Sequence, residues 1–153
     1  MSFMTASCLV DTNVVVYAYD RTEPAKQLQA FRVMDQLAAS ARGALSVQVL
    51  AESFVALTRK IRAPLRPQEA YRRILNYQQS WLVFDVTGLI ALEAARGVVD
   101  HRLNFWDSLI WATARLNQVR LVLSEDFSSG TAIEGVRFEN PFAEGFTLQA
   151  VLA

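Results

Sequence analysis

The 153-residue chain carries fifteen Lys and Arg against fifteen Asp and Glu, so its formal net charge is zero, and 52% of it is hydrophobic. That balance excludes a disordered chain and is at odds with a uniformly basic nucleic-acid binder, and no apolar run approaches the roughly 20 residues of a membrane helix. The single cysteine, Cys8, excludes an internal disulfide.

Residues 1–10 carry neither a basic leader nor a long apolar segment, so no secretory signal is expected. The expectation is one cytoplasmic domain spanning 1–153. Residues 6–10 form an apolar run ending at Asp11, the pattern of a buried strand, and Cys8 within it should be an inert thiol. Over 24–42, Leu28, Phe31, Met34, Leu37 and Ala41 recur at helical steps, and Gly43 is placed to close that helix. A second strand is expected over 44–47. From 48 to 62, Leu50, Ala51, Phe54, Leu57 and Ile61 again follow a helical period. Pro64 and Pro67 then break the chain, and Pro67 can open a helix to about residue 79. Residues 81–86 read as a third strand and Thr87 as the cap of a helix to about 99. Asn104 can cap a helix over 105–117, with Asp107 in the reciprocal capping-box place. A fourth strand over 120–123 leads to the turn Ser124-Glu125-Asp126, and a fifth, edge strand over 136–139 is ended by Pro141.

Strands alternating with helices predict right-handed crossovers and a three-layer α/β/α fold around a mostly parallel sheet of four to five strands. Ligands in such folds bind beyond the carboxyl ends of the strands, where Asp11 and Asp126 both stand. Glu52 and Asp107 interrupt apolar helix surfaces. Glu52 has Val49, Val55 and Ala56 at steps of three and four; Asp107 has Leu103, Ile110 and Trp111; neither has a Lys or Arg there. Half-buried carboxylates of this kind are costly unless paired or bound to a cation. Two of them about 5 Å apart would repel by roughly 3 kcal/mol at an effective dielectric near 20, which a divalent cation offsets. Oxygen-only ligands point to Mg²⁺ or Mn²⁺, and one His with one Cys argues against zinc. Taken singly, Asp107 could be only a helix cap and Asp126 only a turn residue, whereas at Asp11 a strand end gains nothing from a charge.

Thirteen of the fifteen basic residues are Arg, suited to phosphate contacts. Arg59, Lys60, Arg62, Arg66, Arg72 and Arg73 lie in one stretch, readable as an RNA-binding strip or as a solvated helix face.

Four segments, Leu9-Val10-Asp11-Thr12-Asn13, Ala51-Glu52-Ser53, Phe105-Trp106-Asp107-Ser108-Leu109-Ile110 and Leu123-Ser124-Glu125-Asp126-Phe127, resemble the successive acidic motifs of PIN-domain nucleases. More narrowly the chain resembles VapC-type toxins, whose tails often read like Val136-Arg137-Phe138 through Asn140-Pro141-Phe142. The resemblance implies a metal site of Asp11, Glu52, Asp107 and Asp126, with Asn13 and Ser124 orienting a carboxylate or water. It favours Asp126 over Glu125 as the fourth acid. It also implies an Mg²⁺- or Mn²⁺-dependent endoribonuclease, RNA as substrate, a homodimer, and a cognate antitoxin that docks over the acidic cleft. Trp81, Trp106 and Phe146 are candidates for that contact, with burial in the core as the alternative for each.

Other chemistries fare less well. A metal-free two-histidine ribonuclease is excluded, because His101 is the only histidine. There is no Gly-x-Ser-x-Gly elbow and no Gly-rich phosphate loop. A phosphatase-like domain would want Asp where Asn13 stands, and a receiver would want a late Lys where the chain has only Lys26 and Lys60. A catalytically silent protein-binding module stays open and predicts no metal dependence.

Overall fold

The computed structural model describes residues 6–153, so half of the stretch expected to lack a leader, residues 1–5, lies outside the described residues. β1 (Cys8–Val10) is buried at every position, as a strand covered on both faces must be. The chain turns at Asp11 into α1 (Thr12–Tyr17) and continues through α2 (Pro24–Ser40), β2 (Gly43–Ser46) and α3 (Val47–Val55). A π turn over Ala56–Lys60 extends α3, followed by α4 (Pro67–Ser80), β3 (Leu82–Phe84), α5 (Gly88–His101) and α6 (Phe105–Leu116). β4 (Leu121–Leu123), β5 (Ala132–Ile133), β6 (Val136–Glu139) and α7 (Leu148–Leu152) complete it.

The strands form one sheet in the order β3-β2-β1-β4-β6-β5. Every pairing is parallel except β5 with β6. Stepping from β1 to β2 to β3 by right-handed crossovers places α1 to α4 on one face. The return from β3 to β4, on the other side of β1, puts α5 and α6 on the opposite face. This is the predicted three-layer arrangement. The strand order reverses between β1 and β4, and a crevice opens at such a switch point. The two strands are in register there, Val10 opposite Leu123, and Asp11 N donates to Leu123 O at 2.9 Å.

Helix starts follow their local chemistry. Thr87 accepts from Ile90 N, Asn104 from Trp106 N and Ser46 from Val49 N, while Pro67 opens α4. Within the core, Trp111 is fully buried and donates to Ile133 O at 3.1 Å. Gly97 lets α5 meet α6 closely: a Cβ there would lie 2.2 Å from Ser108 Oγ and 2.8 Å from the Trp111 ring. Cys8 is inaccessible, and burial pushes its thiol up to about 12.

Several expectations are corrected. α2 is closed not by Gly43 but by Ala41 in the left-handed conformation (φ 54°), while Gly43 starts β2 against the Trp81 ring. The face α2 buries is Ala30, Val33, Met34 and Leu37; Leu28 and Phe31 are 50% and 60% exposed, because the largest apolar residues are not the ones facing the sheet. On α3, Leu50 is buried as expected, but Ala51 is exposed, and Val49 and Ser53 are buried beside Leu50. The sheet has six strands among the described residues rather than four or five, and β6 is not its edge. The edge is the two-residue β5, returned by Glu134-Gly135, both at positive φ (47° and 84°) as a type I′ hairpin turn requires. Within the described residues no helix is long and apolar enough to cross a membrane.

Candidate metal centre

Asp11 sits where β1 becomes α1. Its Oδ1 accepts from Thr12 N at 2.7 Å as the helix cap, and its Oδ2 accepts from Ser124 Oγ at 2.7 Å. The view that a charge at this strand end serves no structural purpose is therefore corrected: Asp11 caps a helix too short and too β-branched to stand out in the sequence. Asp126 follows β4, and Asp107 lies in the first turn of α6. One carboxylate oxygen from each of Asp11, Asp107 and Asp126 lies within 4.8 Å of the others. Asp107 accepts no capping-box bond at Asn104 N; α6 is capped by the Asn104 side chain alone.

The electrostatics follow from this crowding. Burial, with Asp126 and Asp107 nearby, raises Asp11 to about 7 against the lowering pull of its Ser124 and Thr12 bonds. Burial also raises Asp107, helped by Asp126 and Glu52. No Lys or Arg among the described residues pairs with Asp11 or Asp107 to offset this burial. The donor set is oxygen only, with no histidine or cysteine in it. These residues fit a hard divalent cation of the Mg²⁺ or Mn²⁺ kind.

Glu52 stands beside this trio but outside it. It lines the same groove, and its oxygens are held by Gln48 Nε2 at 2.7 Å and Thr12 Oγ1 at 3.1 Å. The sequence offered no Lys or Arg partner for Glu52; the partner four residues back is an amide, Gln48. Ser124 is a hub. It donates to Asp11, accepts from Asp126 N at 3.0 Å, and receives Asn13 Nδ2 at 3.4 Å. Asn13 Oδ1 in turn accepts from Glu125 N at 3.1 Å. Glu125 itself faces away, paired to Lys26 at 2.6 Å and to Tyr17 OH at 2.9 Å. Only Asp126 of the two adjacent acids joins the cluster. Thr12 and Gln48 did not stand out in the sequence as neighbours of the acids.

The groove around these acids has a volume of about 780 Å³. Val16, Val47, Ala51, Val55 and Val86 give it apolar walls, Lys60 is among its lining residues, and Trp106, 60% exposed, stands at its rim. Trp81 and Phe146 instead pack on the core. A smaller hollow of about 290 Å³ continues past Asn13 and Val16 to Lys60 and Arg62. All six residues of the basic stretch are exposed, and of them only Arg66 is ion-paired, to Glu69, among the described residues. His101 ends α5 and bonds Glu134 at 2.7 Å, away from the acids.

The PIN domain family model matches residues 8–128. No curated protein matches the sequence. Among solved structures the chain is similar to a toxin–antitoxin complex from Klebsiella pneumoniae, at 17% identity and a TM-score of 0.66, covering 89% of this chain and 98% of that one. It is similar to DNA-bound VapBC from Salmonella typhimurium, at 14% identity and a TM-score of 0.65, covering 90% and 99%. It is also similar to Mycobacterium tuberculosis VapC20, described as a toxin that cleaves the sarcin-ricin loop, at 23% identity and a TM-score of 0.63, covering 86% and 99%. At these identities the likenesses concern the fold.

Proposed function

Because the chain belongs to the PIN domain family, we propose that it is a divalent-metal-dependent endoribonuclease, the toxin half of a VapBC-type pair. The observation that carries this reading is the convergence of Asp11, Asp107 and Asp126, whose carboxylate oxygens lie within 4.8 Å of one another in the lining of an open groove. These three would hold Mg²⁺ or Mn²⁺. When bound, such an ion polarises a phosphodiester and lowers the pKa of a water. Glu52, fixed beside the cluster, is placed to accept the proton of an attacking water. Ser124 and Asn13 hold Asp11 and the 124–126 turn in place. Lys60 and Arg62, continuous with the groove, supply positive charge for the flanking phosphates. No histidine and no 2′-hydroxyl is needed, so cleavage leaves a 5′-phosphate and a 3′-hydroxyl.

The apolar walls of the groove and the exposed Trp106 suit a docked protein segment, which supports an antitoxin as partner. A homodimer in the cytoplasm completes the reading. The test incubates the partner-free protein with total RNA in Mg²⁺, Mn²⁺ or EDTA. Cleavage dependent on metal and absent from Asp107→Asn supports the proposal; cleavage that survives EDTA and that substitution overturns it. Metal-independent partner binding with no cleavage would favour the silent module.

A further inference from the structure

We infer that Gln48 is a positioning residue that holds Glu52 beside the aspartate cluster and ties the turn carrying Asp107 to α3; this rests on the nuclease reading above. Gln48 is 8% exposed, and its Nε2 donates both to Glu52 Oε1 at 2.7 Å and to the Trp106 carbonyl at 3.0 Å. Both partners can only accept, so the orientation of the amide is fixed by chemistry. One nitrogen thus spans from α3 to the first turn of α6, one residue before Asp107. With Thr12 on the other oxygen, Glu52 is clamped at both ends of its carboxylate, in the groove yet outside the trio.

The fold itself gains little from this amide. Gln48 Oε1 is buried and has no hydrogen-bond partner among the described residues, a standing cost that an apolar side chain of equal length would not incur. Nor would removing the amide strand its partners. The Trp106 carbonyl, in a first turn, also receives the helix's own bond, and Glu52 borders a groove that water enters. A polar residue that burdens stability while aiming an acid is the pattern of a constraint imposed by a site rather than by folding.

The test titrates Mn²⁺ calorimetrically into the wild-type protein, Gln48→Met and Gln48→Leu, with thermal midpoints and RNA cleavage measured on the same samples. Met conserves the volume and chain length. Both variants are expected to melt no lower than wild type and to bind Mn²⁺ about tenfold more weakly, the usual effect of losing a partner that orients metal-site residues. They are also expected to lose about tenfold in kcat with KM for RNA unchanged, the signature of a lost transition-state interaction. Midpoints lowered along with activity would reduce Gln48 to a packing residue and overturn the inference; so would Mn²⁺ affinity and kcat close to wild type. A wild-type protein that binds Mn²⁺ but cuts no RNA removes the nuclease reading, while the Mn²⁺ comparison still decides on Gln48. No Mn²⁺ binding by wild type overturns both.

Discussion

The Ser124 hydroxyl donates to Asp11 Oδ2 at 2.7 Å, joining the ends of two neighbouring strands whose residues are 113 positions apart in sequence. The same oxygen accepts from Asp126 N, so one small side chain sets the placement of two of the three clustered aspartates. Ser124→Ala should therefore weaken Mn²⁺ binding by roughly ten- to a hundredfold. Glu125→Gln, next in sequence but turned toward Lys26 and Tyr17, should leave it unchanged. Calorimetric titration of the two variants reads the contrast directly, and equal losses would contradict the placement of these acids.

The raised Asp11 carboxyl gives a pH dependence with a definite sign. Its folded value of about 7 lies above the ordinary 3.8, so the folded protein holds this proton more tightly than the unfolded chain. That contribution to stability is fully present below the ordinary value and is lost as pH rises through about 7. In EDTA the melting midpoint should rise on going from about pH 8 to about pH 6. Mg²⁺ or Mn²⁺, which compete with the proton for the same oxygen, should raise the midpoint more at the higher pH. Thermal melts at the two pH values, with and without metal, check this.

Gly97→Ala should destabilise the fold although alanine favours helices. The new Cβ would meet Ser108 Oγ and the Trp111 ring, both fully buried. Overpacking of this kind costs about 1–3 kcal/mol. For a chain of this size that lowers the midpoint by roughly 2–12 °C. A midpoint at or above wild type would show that α5 and α6 separate without cost.

The basic residues continuous with the groove should reveal themselves in salt dependence. On an Asp107→Asn protein, which is expected to leave RNA uncut, Lys60→Ala and Arg62→Ala should each flatten the slope of log K against log salt by about 0.7. Arg66→Ala should not, because that guanidinium is engaged with Glu69. Binding isotherms at several salt concentrations measure the slopes.

The sequence made the fold legible wherever local chemistry and tertiary demand agree. Thr87, Asn104 and Pro67 announce their helices by capping and by proline's fixed φ, and the structure starts α5, α6 and α4 at those places. The acids beyond the strand ends were visible because a charge interrupting apolar runs stands out. α1 was not, since Thr12, Val14, Val15 and Val16 are β-branched and carry no helical signal. It is helical because Asp11 caps it and the core buries Val14 and Val15, so tertiary packing overrides propensity. The π turn after α3 and the Glu134-Gly135 hairpin carry no strong composition signal either. Nor could spacing along the chain tell that Glu52 stands off from Asp11, Asp107 and Asp126, because that separation is set by Gln48 and Thr12 from two different elements.

The central claim is that the three aspartates hold a divalent cation, and anomalous scattering from crystals soaked in Mn²⁺ tests it most directly. One or more peaks are expected at roughly 2.1 Å from carboxylate oxygens of Asp11, Asp107 and Asp126, and none in crystals of Asp11→Asn protein. An empty cluster at Mn²⁺ concentrations that support RNA cleavage, or a peak seated elsewhere, would contradict it.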